Sequence, residues 1–254
     1  MRNRLEAIGI KQVVRLEWYE LALNLMLGGR SEREIRKFLD EFISERKQSG
    51  GYGERGEQTY TKAITQIMKS WVAPEEQLIP FRNDLLKHAG SNSLEIRTAL
   101  HWAVTCAAYP FWFRLAFQTG RLLNLQNAIT QNQIRLRCFE AMGERSTVER
   151  SARRVIRMFV QWGILEDSNI KGCYKRSIPI KIADPNLAIL LFESALIATP
   201  GATSTMRVLL NNPAFFPFQL PAITGDFISQ HSERIEVARF SLDEEFLKLK
   251  ENRN

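Results

Sequence analysis

The segment Ser146–Gln161 ("STVERSARRVIRMFVQ") carries Arg150, Arg153, Arg154 and Arg157 close together, with Arg145 just before it. Val148, Ala152, Val155, Ile156 and Phe159 recur between them at three- and four-residue steps. A helix would gather those apolar side chains on one face and leave the arginines on the other. Arg150, Arg153 and Arg157 then line one stripe. A guanidinium is a planar fork of donors that grips a phosphate or the edge of a guanine through two parallel hydrogen bonds. A merely solvated face mixes charge signs. This one carries only Glu149, which reads with Ser146 as a capping box that starts the helix at Thr147. The chemistry to expect is recognition of a polyanion.

The flanking segments say how such a helix would be presented. Upstream, "AITQNQIRLRCFEAMG" reads as an amphipathic helix with Thr130 as its cap and Gly143 as its end. A turn of about four residues then leads into the arginine helix, which is helix-turn-helix spacing. Downstream, Gly163 stops that helix and Ile164-Leu165-Glu166 begins a strand. "DSNIKGCYK" is a turn, and Lys175–Ile182 alternates as a second strand. Helix, turn, basic helix, strand, hairpin and strand make a winged helix-turn-helix, with Lys171, Lys175 and Arg176 on the wing. A recognition helix enters the major groove and wing cations lie along the phosphate backbone, so binding should weaken steeply with salt.

The rest of the chain reads as mainly α. Helices are predicted at Val13–Leu27, after the capping box Ser31-x-x-Glu34, at Tyr60–Val72, from Pro80 to near Gly90, at Ser93–Ala108 and at Arg114–Leu125. The glycine-rich stretch Gln48–Gln58 is predicted as a loop. Beyond Asp184-Pro185, Leu187–Ala198 is an apolar helix, Ile235–Phe240 alternates like a strand, and Leu242–Leu249 reads as a charged terminal helix. The expected organisation is a helical bundle over 1–126, a winged helix over 127–183 and a C-terminal helical extension over 184–254.

Charge sharpens the expectation. Between Arg121 and Ile182 stand 12 Lys and Arg against 5 Asp and Glu, whereas the remainder balances 23 against 23. A localised basic segment is the footprint of a polyanion partner. The most apolar run, Ala99–Phe113, contains His101 and Pro110 and stops short of the roughly 20 apolar residues a membrane span needs. The start, "MRNRLEAIGIKQ", lacks the apolar core of a secretory signal. Cys106, Cys138 and Cys173 are odd in number and widely spaced, which fits a reducing cytoplasm better than a disulfide framework or zinc site.

Other motifs carry less. Gly51-Tyr52-Gly53-Glu54-Arg55-Gly56 matches G-x-G-x-x-G, but a charged helix precedes it where a dinucleotide site needs a buried strand. Ser44-x-x-Lys47 and Ser168-x-x-Lys171 lack the companions of an S-x-x-K enzyme. His88 and His231 are isolated, and His101, beside Trp102, reads as a core histidine. No catalytic constellation, cofactor motif, metal site or small-molecule substrate emerges. "LMLGGRSEREIRKFL" also has helix-turn-helix rhythm, but Glu32, Glu34, Asp40 and Glu41 balance Arg30, Arg33, Arg36 and Lys37, so it reads as a bundle helix.

Together, "LNLMLGGRSEREIRKFL", "ALHWAVTCAAYPF", "ERSTVERSARRVIRMFVQWGIL" and "NNPAFFPF" give the chain a resemblance to the BrxA-like accessory proteins of bacterial BREX phage-defence islands. The resemblance spans most of 16–182. It implies a bundle followed by a winged helix, no enzymatic activity, DNA binding and a place among other defence proteins; the family's bundle is similar to that of an RNA-binding antitermination factor. Residues 184–254 extend past that pattern and are a candidate partner-docking module. The expectation is a cytoplasmic, non-enzymatic protein that binds double-stranded DNA through Arg145, Arg150, Arg153, Arg154, Arg157, Lys171, Lys175 and Arg176. The alternatives are RNA binding, a pure interaction subunit of a defence complex, and a transcriptional repressor.

Overall fold

Apolar periodicity and capping residues decide the first half of the chain. The computed structural model describes residues 4–45, 57–90, 93–241 and 244–250. Six helices come first: α1 (Leu16–Leu27), α2 (Glu32–Ser44), α3 (Glu57–Ile67), α4 (Ile79–His88), α5 (Leu94–Ala108) and α6 (Pro110–Leu123). Ser31 caps α2 reciprocally with Glu34, as its sequence requires. Pro80 and Pro110 occupy first-turn positions of α4 and α6, where a missing N–H goes unnoticed. The helix expected from Val13 starts at Leu16, because Arg15 is extended. Most of the glycine-rich stretch, with its G-x-G-x-x-G pattern and Lys47, lies outside the described residues.

A strand, two helices and a hairpin follow: β1 (Ala128–Thr130), α7 (Gln131–Met142), α8 (Ser146–Gln161), β2 (Leu165–Asp167) and β3 (Cys173–Arg176). The three strands form one antiparallel sheet in the order β1-β3-β2, with Ile129 opposite Tyr174 and Glu166 opposite Lys175. Thr130 ends β1 and caps α7 in a reciprocal box with Gln133. Thr130 caps the helix as its sequence suggests, but Ala128 and Ile129, read with the same amphipathic segment, pair with β3 and join the sheet. The second hairpin strand is also shorter than expected. It stops at Arg176, and Ile180–Lys181 (β4) pairs in parallel with Phe218–Gln219 (β6).

The remaining elements are α9 (Pro185–Ala198), β5 (Thr203–Thr205), α10 (Met206–Leu210), α11 (Gly225–His231), β7 (Ile235–Ser241) and β8 (Glu244–Leu249). Here the expected helical extension needs correcting. Residues 244–249 are a strand, and β5, β8 and β7 form a second antiparallel sheet. "EEFLKL" has helix-forming residues, but Leu247 alternates into the core opposite Val237, and tertiary pairing overrides local propensity.

One continuous apolar core draws on every one of these elements except β5, across positions 126 and 183 alike. Helix α9 is buried on nearly every side and packs on α5. Gly120 lets α6 touch the turn at Pro213, since a Cβ there would stand 1.8 Å from the Pro213 carbonyl oxygen. Arg234 forks onto Glu193 of α9 at 2.5 and 2.9 Å and reaches Asp84 of α4 at 2.5 Å, tying the second sheet to the bundle. Burial pushes the Glu193 carboxyl up, and the guanidinium pulls it back toward the ionised form. No helix among the described residues is long and apolar enough to cross a membrane.

Candidate nucleic-acid interface

Helix α8 is held by its inner face. Val148, Ala152, Val155, Ile156 and Phe159 are all buried, as their spacing requires. Phe159 stacks on Trp102 at 5.2 Å and meets the edge of Trp112 at 4.8 Å. Two hydrogen bonds fasten the N-terminal segment to the same helix and the residue after it. Ser151 Oγ donates to the Ile10 carbonyl at 2.8 Å, and Trp162 Nε1 donates to the Val14 carbonyl at 3.0 Å. Aromatic packing of this kind fixes the helix in rotation, so its outward residues have defined directions.

The start of α8 differs from expectation. Ser146 is already helical, Arg145 occupies the cap position, and no side chain caps the helix. Glu149 therefore does not close a capping box; it lines a groove beside Arg153.

The arginines share one exposed face in backbone position but divide in side-chain direction. Arg145, Arg150 and Arg154 line a groove of about 910 Å³ on one flank of α8. Arg153 and Arg157 line another, of about 840 Å³, on the opposite flank. Residues 153 and 154 diverge by about 100° around a helix axis, so neighbours in sequence reach to opposite sides. The expected single stripe is thus a ridge between two cationic grooves.

The 840 Å³ groove runs between α8 and the β2–β3 hairpin. Its cations are Arg135, Arg153, Arg157 and Lys171; its carboxylates are Glu149 and Asp167. Arg157 Nη1 donates to both Asp167 oxygens, at 2.9 and 3.0 Å. Arg135 donates to Asn132 Oδ1 at 2.8 Å and stands 5.0 Å from the Phe139 ring centre. Lys175 is exposed on the hairpin but lines neither groove. Arg176 leaves the group altogether. Its guanidinium donates to Asn124 Oδ1 at 2.9 Å, lies 5.9 Å from the Phe216 ring centre, and is pushed to a lower pKa by burial.

The 910 Å³ groove holds Lys11, Lys62, Arg114, Arg145, Arg150 and Arg154, with Glu6 as the single carboxylate on its lining. Burial, then the neighbouring Arg150 and Arg153, lowers the Arg154 pKa. Burial likewise lowers that of Arg114, whose guanidinium donates to the Leu5 carbonyl. Crowded cations that depress one another are what a bound anion would relieve. Arg135 was within reach of sequence reasoning as an exposed cation on the preceding helix. Lys11, Lys62 and Arg114 were not, because nothing in their local sequence points to α8.

His88 and His231, isolated in sequence, line one pocket with Asp84, Glu193 and Arg234. His101 is fully buried: Trp71 Nε1 donates to its Nδ1 at 2.9 Å, and its Nε2 proton bonds to Glu20 Oε1 at 2.9 Å. Arg97 holds the other Glu20 oxygen at 2.7 Å. Burial lowers the His101 pKa and Glu20 only partly restores it, so the ring is a neutral, satisfied core group. Among the described residues no three His, Cys, Asp or Glu side chains gather as metal ligands would. Comparison of the chain with protein-family models, curated proteins and solved structures found no match.

Proposed function

We propose that the chain binds double-stranded DNA, with α8 as the recognition helix of a winged helix formed by α6, β1, α7, α8, β2 and β3. The observation that carries this reading is the outward face of α8: four arginines on a ridge, with a cationic groove on either side. The topology supports it. A sheet ordered β1-β3-β2, with two helices between its first two strands in sequence, suits a helix presented beside a hairpin wing. Helix α8 is about 10–12 Å thick with its side chains, which matches the roughly 12 Å width of the B-DNA major groove.

In this reading Arg150, Arg153, Arg154 and Arg157 face the groove floor or its rims, and Lys171 and Arg135 meet the backbone beside the wing. Lys175 adds diffuse attraction, and Arg176 supports the hairpin from within. The absence of a catalytic constellation in the sequence favours a binding protein over an enzyme. The resemblance to BREX accessory proteins, resting on sequence alone, suggests phage defence as the setting.

The test is fluorescence anisotropy on a random duplex across a salt series. Wild type should bind with a steep slope, and Arg150→Gln/Arg153→Gln/Arg157→Gln should lose about 1.8 units of it, roughly 0.9 for each of Arg150 and Arg153, because Asp167 already holds Arg157. No binding at low salt, or an unchanged slope in the variant, refutes the proposal. Tighter binding to an RNA duplex of the same sequence would reassign the partner.

A further inference from the structure

The groove on the N-terminal flank of α8 is built in part by segments outside the winged helix. Lys11 comes from the extended segment before α1, and Lys62 from α3. Both are tied to α8 rather than loosely near it. The carbonyl of Ile10, next to Lys11, accepts from Ser151 Oγ. Gln66, one turn beyond Lys62, donates from Nε2 to Met158 Sδ at 3.7 Å. Helix α8 therefore sets the position of both lysines.

Their ionic state is the second observation. Several exposed cations elsewhere find carboxylates: Lys37 pairs with Glu41, Lys87 with Asp84, Arg30 with Glu34, and Arg137 with Glu140. Around this groove, Lys11, Lys62, Arg145, Arg150 and Arg154 have no ion pair among the described residues, and Glu6 is the one carboxylate at hand. Such a field is left for an anion from outside.

We propose that this groove carries the phosphate backbone of the second DNA strand, so that the helical bundle is itself part of the DNA interface. The inference rests on the winged-helix reading above. When a helix fills the major groove, the two backbones pass along its two flanks. The wing-side groove meets one strand. The groove formed by Lys11, Lys62 and Arg114 meets the other. Its volume of about 910 Å³ is far larger than a single phosphate needs, and its lining follows α8 from Arg145 to Arg154. That shape suits a linear phosphodiester chain.

The experiment uses the full chain with Lys11→Gln/Lys62→Gln; both lysines are exposed, so folding should be unaffected. The charge-matched control is Lys87→Gln/Lys248→Gln, whose lysines line neither groove. Anisotropy is read on a random duplex and on one of its single strands. The expected result is a loss of about 1.8 units of salt slope on the duplex, or about twelvefold less weakening between about 50 and 200 mM salt. The control should keep the wild-type slope, and the loss should be smaller on the single strand.

A wild-type slope in Lys11→Gln/Lys62→Gln, while Arg150→Gln/Arg153→Gln/Arg157→Gln loses its own, would overturn this inference and leave DNA binding by α8 standing. Equal losses on duplex and single strand would overturn the second-strand assignment. Equal losses in the control would reduce the effect to net charge and overturn it as well. Failure of wild type to bind duplex would overturn both readings.

Discussion

Asp167→Asn should strengthen DNA binding, which is an unusual outcome for a substitution beside a binding residue. In the free protein Asp167 holds Arg157 through both of its oxygens, at 2.9 and 3.0 Å. The two side chains are 43% and 52% exposed, so the pair is worth only about 0–1 kcal/mol to the fold. An asparagine keeps one acceptor for the guanidinium but removes the charge that competes with phosphate. If Arg157 then neutralises one more phosphate, the salt slope steepens by about 0.9. Relative to about 1 M salt, that amounts to about eightfold tighter binding near 0.1 M, or roughly 1.2 kcal/mol. The assay is anisotropy on a random duplex at several salt concentrations, with a thermal melt to confirm that the fold is intact. Asp226→Asn is the control: it removes the same charge from an exposed pair with Arg239, at 2.6 Å on the second sheet. Unchanged or weaker binding by Asp167→Asn would refute the argument. An equal gain in Asp226→Asn would show that only net charge matters.

Arg234→Met should destabilise the fold by about 3–5 kcal/mol, because it strands the buried Glu193 carboxylate. Burial already raises the folded-state pKa of Glu193, and without the guanidinium it rises further. The folded state then holds a proton that the unfolded state releases. The deficit should therefore grow as pH rises above the ordinary glutamate range, by up to about 1.4 kcal/mol per unit. Urea melts near pH 5 and pH 8 check this, and a deficit that shrinks with rising pH would contradict it. Arg176→Met should lower stability modestly yet keep the wild-type salt slope, since the guanidinium is engaged with Asn124 and Phe216; a drop near 0.9 units would return Arg176 to the interface.

Features written in short-range periodicity were legible. The caps at Ser31 and Thr130, the proline start of α4 and the buried face of α8 all follow from residues within a turn or two of one another, whereas α6, expected from Arg114, begins at Pro110. Strands were harder. Three residues at Ala128–Thr130 carry too little pattern to stand apart from the helix they precede, and β8 is made by partners on both sides rather than by its own composition.

The sequence by itself determined that the imbalance of charge sits in one quarter of the chain and that α8 has one apolar and one arginine face. Both are properties of residue order and helix period. Only the tertiary structure decided where each cation goes. It turned Arg154 and Arg153 to opposite flanks, engaged Arg157 with Asp167, packed Arg176 against Phe216 and brought Lys11 and Lys62 to a groove far from them in sequence. The reason is physical. A helix face depends on neighbours three and four residues away, whereas a groove is the space left when distant segments bury their apolar sides against the same helix.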